Sequence, residues 1–172
     1  MNYTDFKKMT GAIPETQGFE YSLVFLWLDP SMLPLGVVSI KGCTDRIIRI
    51  PRMTVNSYGN SVPVIAVGNY AFGNNKNVTD IIPSPQTIRI AGHAFSGCTA
   101  LEKIYIPNCI EMIGKNAFEG CTSLADIYFG GSPDDWRKIK TGPGNDPLLH
   151  AKIHYGCEYP EHKSQIGKDV QE

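Results

Sequence analysis

Four residues near the end of this 172-residue chain have the types and spacing of a metal site. His150, His154, Cys157 and His162 form the pattern His-x3-His-x2-Cys-x4-His, and imidazole and thiolate are ligands that Zn²⁺ prefers. His150 and His154 would share a face only in a helix, whereas residues 151–155 alternate apolar and polar side chains as a strand does. We therefore expect no metal site and no cofactor.

A second pair of residues could perform acid–base chemistry, which paired carboxylates support. Asp134 and Asp135 are adjacent, but they follow Ser132 and Pro133 in the order typical of a helix start: an N-cap serine, a proline at the first helical position and an acid in the capping-box position. The chain has no Gly-x-Ser-x-Gly motif, no phosphate-binding glycine loop and no Ser/His/Asp arrangement. These observations favour a protein that is not an enzyme.

Charge and hydropathy exclude two classes of partner. The chain has 16 Lys and Arg against 17 Asp and Glu, a net charge of −1, so it lacks the basic surface that nucleic acid requires. The longest apolar run, residues 23–28, is too short to span a bilayer, and we expect no membrane insertion. No apolar run follows the first two lysines, so no secretory signal is expected. These residues alone do not assign a cellular location.

A short tandem repeat organises the centre of the chain. Residues 90–107 match residues 113–129, and more loosely residues 67–83. A fixed period of this length is typical of a solenoid, in which each coil buries its apolar side only against its neighbours. The repeat is marked by three dipeptides in phase, Ala71-Phe72, Ala94-Phe95 and Ala117-Phe118, and the constant step from one to the next is the repeat period.

Within one coil the pattern predicts which side chains are buried. The phrase Leu-x-x-Ile-x-Ile-Pro at residues 101–107 alternates, and Pro107 ends the strand because it cannot donate to a ladder. Cys98 and Cys121 occupy the same repeat position, and we interpret them as buried structural thiols. The predicted core contains the phenylalanines and the apolar strand positions Phe72, Phe95, Phe118, Leu101, Leu124, Ile104 and Ile127.

The same alternation predicts an outward face on the stacked strands. Tyrosine is frequent in binding hot spots because it buries a large area at low entropic cost, so an exposed column with flanking charges is a candidate binding surface. The alternative is cross-strand stacking that only stabilises the sheet, and the sequence leaves both open. The candidate residues are Ile82, Lys103, Tyr105, Asp126, Tyr128 and His154.

Outside the repeats, composition predicts the domain organisation. A solenoid requires caps, because its end coils would otherwise expose core and strand edges. We expect one domain over residues 19–156, preceded by a polar arm or linker and followed by a mobile tail. The segments are 1–18 for the arm, 19–45 for an N-terminal β-hairpin cap, 46–129 for the repeats, 130–156 for a C-terminal helix-plus-strand cap and 157–172 for the tail.

The repeat phrases resemble the BspA-like leucine-rich repeat family. Its coil, L-x-x-I-x-I-P-x-S-V-x-x-I-G-x-x-A-F-x-G-C-x-S, is similar to residues 101–123, and the likeness covers about residues 36–156. The first coil departs from it, with Asn74 and Asn75 in place of Gly-Cys. The resemblance implies a short right-handed solenoid, mostly β with short helical corners. It also implies a non-enzymatic adhesion or recognition protein, extracellular or surface-associated.

The sequence thus predicts a recognition or adhesion module that binds a protein or glycan through its exposed strand face. The alternative is a structural or assembly subunit, such as a particle, fibre or surface decoration protein. It would self-associate or dock onto a larger assembly through residues 1–18 and the N-terminal cap. An apolar edge at Val24, Leu26 and Leu28, covered by a partner, would support that alternative.

Overall fold

A computed structural model describes residues 19–23, 35–40, 45–55 and 59–160 of the chain. The predicted arm at residues 1–18 and the apolar residues Val24, Leu26 and Leu28 lie outside these ranges. Two sheets and two short helices make up the described part.

The first sheet has seven strands among the described residues. They are β1 (Phe19–Leu23), β2 (Leu35–Ile40), β4 (Met53–Val55), β5 (Ser61–Val67), β7 (Arg89–Ile90), β9 (Met112–Ile113) and β11 (Lys140–Thr141). The second sheet has five, which are β3 (Ile47–Arg49), β6 (Asp80–Ile82), β8 (Lys103–Ile106), β10 (Asp126–Phe129) and β12 (Lys152–His154). The helices are α1 (Pro133–Lys138) and α2 (Asp146–His150).

Strand pairing reproduces the sequence repeat. In the five-stranded sheet, whose order is β12-β10-β8-β6-β3, Asp80 pairs with Lys103 and Lys103 pairs with Asp126, each partner one repeat period further along the chain. In the seven-stranded sheet Arg89 pairs in parallel with Ala66 and Met112, which lie one period before it and one period after it. Each coil therefore contributes one strand to each sheet, which is the architecture of a repeat solenoid.

The coils at the two ends of the array are longer than the repeat period. Ile47 pairs with Asp80, more than one period away, and the added residues include β4, which runs antiparallel to β5. Asp126 pairs with Lys152 across a span that contains α1 and α2. At the N-terminal edge β1 and β2 form an antiparallel hairpin, and β2 joins β5 in parallel.

A column of three phenylalanines runs through the core. Phe72 and Phe95 have ring centroids 5.5 Å apart, and Phe95 and Phe118 have theirs 5.2 Å apart. All three rings are at most 2% exposed. The other predicted core residues, Leu101, Leu124, Ile104 and Ile127, belong to the same buried cluster.

Two cysteines bind the corners of successive coils together. The thiol of Cys98 donates to the carbonyl of Phe72 at 3.0 Å, and the thiol of Cys121 donates to that of Phe95 at 3.1 Å. Burial raises the pKa of these thiols, to about 11 for Cys98 and about 12 for Cys121. Both are therefore neutral hydrogen-bond donors at physiological pH rather than nucleophilic thiolates.

The last corner is completed by a side chain. The Phe72 and Phe95 amides donate to the carbonyls of Ala94 and Ala117 in the next coil, both at 2.8 Å. The Phe118 amide instead donates to Oδ1 of Asn145 at 3.0 Å. Asn145 Nδ2 also donates to the carbonyls of Gly114 at 2.9 Å and Gly142 at 2.8 Å. The buried amide thus takes the place of a backbone carbonyl from a further coil.

Replacing the central ring should destabilise the array. We expect Phe95→Ala to lower the free energy of unfolding by roughly 3–5 kcal/mol, because it removes contacts with both neighbouring rings and leaves a cavity. Urea denaturation measures the change, and Thr99→Ala, at an exposed position of the same corner, is the control. A loss below about 1 kcal/mol for Phe95→Ala would contradict the structural role of the column.

A second prediction concerns the amide that ends the array. Asn145→Ala leaves a buried N–H donor without its acceptor, and should cost about 1–3 kcal/mol in urea denaturation. Asn145→Asp retains the acceptor for the Phe118 amide but places a carboxylate oxygen against the Gly114 and Gly142 carbonyls, so we expect it to be destabilised as well. Wild-type stability in both variants would show that these bonds do not contribute.

Candidate functional site

The outer face of the five-stranded sheet presents two rows of side chains in register. Alternation places Ile48, Ile81, Ile104 and Ile127 in the core, so the residues on either side of them point outward. We call the first row the charged row, and it consists of Asp80, Lys103, Asp126 and Lys152. We call the second the central row, and it consists of Arg49, Ile82, Tyr105, Tyr128 and His154.

At the β10–β12 end of this face, three candidate residues contact one another. The rings of Tyr128 and His154 stack with centroids 4.8 Å apart and planes 9° apart. His154 Nε2 lies 2.7 Å from Asp126 Oδ1, and since a carboxylate only accepts, the imidazole N–H donates. The His154 and Asp126 side chains are 16% and 29% exposed, and Lys152 beside them is exposed. This end of the face is accessible to a partner, and so is the half-buried Lys103.

The predicted exposed column is wrong at two of its positions. Ile82 is fully buried and Tyr105 is 5% exposed, although both lie outside the core cluster. They are buried from the outer side of the sheet, where the chain returns after β12 and crosses the central row. We call residues 157–160 the strap.

The strap is attached at the β10 side of the sheet. The Cys157 amide donates to the carbonyl of Phe129 at 3.0 Å, and the Tyr105 hydroxyl lies 3.4 Å from the carbonyl of Cys157. A Cβ on Gly130 would lie 2.7 Å from the Tyr105 hydroxyl and 3.6 Å from the Cys157 carbonyl, so the absence of a side chain there permits this approach. Gly156, with φ of +67°, supplies the turn that precedes the strap.

The strap ends on two arginines at the other side of the sheet. The Tyr159 ring packs edge-on against Tyr105, with centroids 5.3 Å apart and planes 86° apart. The guanidinium of Arg52 lies 5.3 Å from the centroid of the Tyr159 ring. Arg49 Nη1 donates to the carbonyl of Pro160 at 2.8 Å. Residues 157–160, which the sequence assigned to a mobile tail, therefore pack on the sheet. Ile82 lies in the central row between Arg49 and Tyr105, on the path that these residues cross.

The described residues with metal-ligand spacing bond to other groups. His150 Nδ1 donates to the carbonyl of Asp146 within α2, His154 bonds Asp126, and Cys157 belongs to the strap. His162 lies outside the described residues. Among the residues that the structure describes, no group of three or more His, Cys, Asp or Glu could hold a metal ion.

The adjacent acids Asp134 and Asp135 begin α1. Ser132 and Asp135 form a capping box, and Asp135 also accepts from Lys138 at 2.8 Å. Hydrogen bonds from Lys138 and Ser132 hold the pKa of the Asp135 carboxyl well below its usual range. Asp134 pairs with Arg137 in the same helix. Both carboxylates therefore have a role in helix formation.

Sequence reasoning missed the residues that hold the strap. Arg49 had a detectable signal, since residues 47–51 align with residues 103–107 and place Arg49 at the position of Tyr105. Tyr159 and Pro160 had none, because they lie outside the repeats, and Arg52 follows the aligned strand phrase at a position with no repeat pattern.

Residues 54–141, about half of the chain, match the family model of the BspA type leucine rich repeat region. The match consists of six copies of that model. The chain belongs to this family. The comparison of this BspA-type protein with curated protein sequences found no match. Among its described residues, no helix has the length and apolar composition that a membrane span requires.

Solved structures of bacterial leucine-rich repeat proteins share its fold. A Bacteroides capillosus protein is 18% identical with a TM-score of 0.59, and the alignment covers 81% of this chain and 96% of that one. A Bacteroides ovatus protein is 21% identical with a TM-score of 0.51, covering 82% and 37%. A leucine rich cell surface protein of Faecalibacterium prausnitzii is 23% identical with a TM-score of 0.50, covering 63% and 34%. The BspA-type chain thus spans only about a third of the last two proteins.

The strap covers Tyr105, and this burial should be detectable in the ionisation of the Tyr105 phenol. Burial raises the pKa of its phenol from 10.0 to about 12, and nearby Cys157 and Tyr159 add to this. Because the folded state holds this proton more tightly than the unfolded chain, the associated stability is complete below pH 10 and is lost as pH rises toward 12. We expect the urea midpoint of wild type to fall more steeply over this interval than that of Tyr105→Phe. Equal slopes, with Tyr128→Phe as control, would contradict the assignment.

Proposed function

We propose that this BspA-type protein is a non-enzymatic recognition or adhesion module that binds a protein or glycan partner through the outer face of its five-stranded sheet. Membership of a family of surface leucine-rich repeat proteins supports this function. The Faecalibacterium prausnitzii relative is described as a cell surface protein, and we extend a surface location to this chain as part of the proposal.

One observation carries the proposal: the accessible end of the face combines a stacked aromatic pair with charges of both signs. Tyr128 and His154 offer ring surface that can be desolvated at low entropic cost. Around them Lys103, Asp126 and Lys152 alternate in charge along the charged row. Such a pattern favours partners of complementary charge in one orientation. Ile82 and Tyr105 are buried and are not part of this accessible end.

The alternative function, a structural or assembly subunit, stays a prediction. It depends on residues 1–18 and on Val24, Leu26 and Leu28, which lie outside the described residues.

A paired set of variants tests the recognition face. The immobilised protein is exposed to surface proteins and glycans of the source organism's environment, and retained partners are identified by mass spectrometry. We expect Tyr128→Ala combined with Lys152→Ala to weaken binding of a retained partner about 30-fold or more, as for loss of a hot-spot tyrosine. Titration by surface plasmon resonance gives the affinity.

The matched control alters the other sheet. Arg89→Ala combined with Lys140→Ala removes two exposed cations from the seven-stranded sheet, and we expect it to retain wild-type affinity. Both double variants should melt within a few degrees of wild type, since none of the four side chains is in the core cluster. Binding that survives the first variant and is lost in the second would place the recognition face on the wrong sheet.

A further inference from the structure

The strap occupies the outer face as a bound peptide would. Its residues contribute nothing to the core cluster, and Glu158 in its middle is exposed. Its contacts with the array include a backbone amide on Phe129, a ring on Tyr105 and a backbone carbonyl on Arg49. Backbone hydrogen bonds together with a pocket for an alternate side chain are how proteins recognise extended peptides.

The receptor half of this contact belongs to the array itself. Arg49 is 5% exposed and directs its guanidinium to the Pro160 carbonyl, a charge-assisted bond. Arg52 and Tyr105 lie against the Tyr159 ring, so that the ring meets a cation and the edge or face of another aromatic group. The site therefore selects an aromatic side chain next to a backbone carbonyl in a fixed position.

The strap follows a turn at Gly156, whose amide donates to the carbonyl of Gly131 at 2.9 Å. Gly156 has φ of +67°, and no atom lies within 4 Å of the position of a Cβ there. The ladder between β10 and β12 ends at His154, before this turn. Release of residues 157–160 would break the buried bond to Arg49 and the contacts with Tyr105 and Phe129, but none of the contacts within the phenylalanine column.

We propose that the outer face around Tyr105 binds an extended segment of a partner protein, with an aromatic residue followed by proline, and that the strap is a tethered competitor for this site. The inference rests on the proposed recognition function and specifies its partner chemistry and its regulation. Partner binding displaces the strap and takes its place over Tyr105, so that the site is continuous with the accessible Tyr128–His154 end of the face.

The tether sets the size of the effect. A short linker gives an effective concentration on the order of 1 mM, so a strap that binds with a Kd of ~100 µM lowers the apparent affinity for a free peptide about tenfold. A variant that weakens binding of the strap to the face, without altering the face itself, should therefore bind a free peptide about tenfold more tightly than wild type.

The test uses the full chain and a probe with the sequence of residues 156–160, Gly-Cys-Glu-Tyr-Pro, with blocked ends and under reducing conditions. Binding is followed by amide chemical shifts. We expect Tyr159→Ala protein to bind the probe about tenfold more tightly than wild type. Glu158→Ala, in the same strap but at an exposed side chain, is the matched control and should bind as wild type does. Adding Arg52→Ala to Tyr159→Ala should abolish the gain.

Equal affinity of wild type, Tyr159→Ala and Glu158→Ala for the probe would overturn the inference. So would the absence of binding to any of these three proteins at millimolar probe. Should Tyr159→Ala fail to fold, wild type provides a second measurement: saturating probe should accelerate hydrogen exchange of the Cys157 amide, and an unchanged rate overturns the inference. If the probe fails while partner capture still depends on Tyr128 and Lys152, the recognition function stands and the tethered competitor does not. If capture fails as well, both are overturned.

Discussion

The stack of Phe72, Phe95 and Phe118 holds three successive coils at a distance that their strands also require. The ring centroids are 5.5 and 5.2 Å apart, close to the spacing of about 4.8 Å between hydrogen-bonded strands. A single repeat period therefore satisfies ring packing and both ladders at once. The thiols of Cys98 and Cys121 follow the same register, because each reaches the carbonyl of the phenylalanine in the preceding coil. The two rows on the outer face are a product of this register.

The ends of the array meet the same requirement with irregular sequence. At the corner that contains Phe118, the Asn145 side chain accepts the hydrogen bond that a further coil would accept. Above the last coil, Trp136 of α1 packs edge-on against Phe129 with centroids 5.2 Å apart. These residues share no pattern with the repeats, but they satisfy the same donors and the same apolar surface. The helix that carries Trp136 begins with a capping box, which provides its own start.

The inward half of this architecture is readable from sequence, and the outer cover is not. Alternation and the repeat period together place Phe95 and Ile104 inside, since both follow from local spacing. The same alternation shows that Tyr105 points away from the core, but not that another segment covers it. That cover depends on the bond from Arg49 to Pro160, which joins residues 111 positions apart in a segment without periodicity. The burial of Ile82 and Tyr105 could therefore not be predicted from the repeat.

Equal spacing between partner residues also constrains how such an array can change in evolution. Tandem duplication of a gene segment that encodes one full period would add a coil whose strands meet both neighbours in register, as Lys103 meets Asp80 and Asp126. A duplication longer or shorter by a single codon would turn inward side chains to solvent, because strand side chains alternate with a period of two. Array length is therefore free to vary in whole coils. Each added coil would widen the distance between Arg49 and the turn at Gly156, so a strap of fixed length could no longer reach across the sheet.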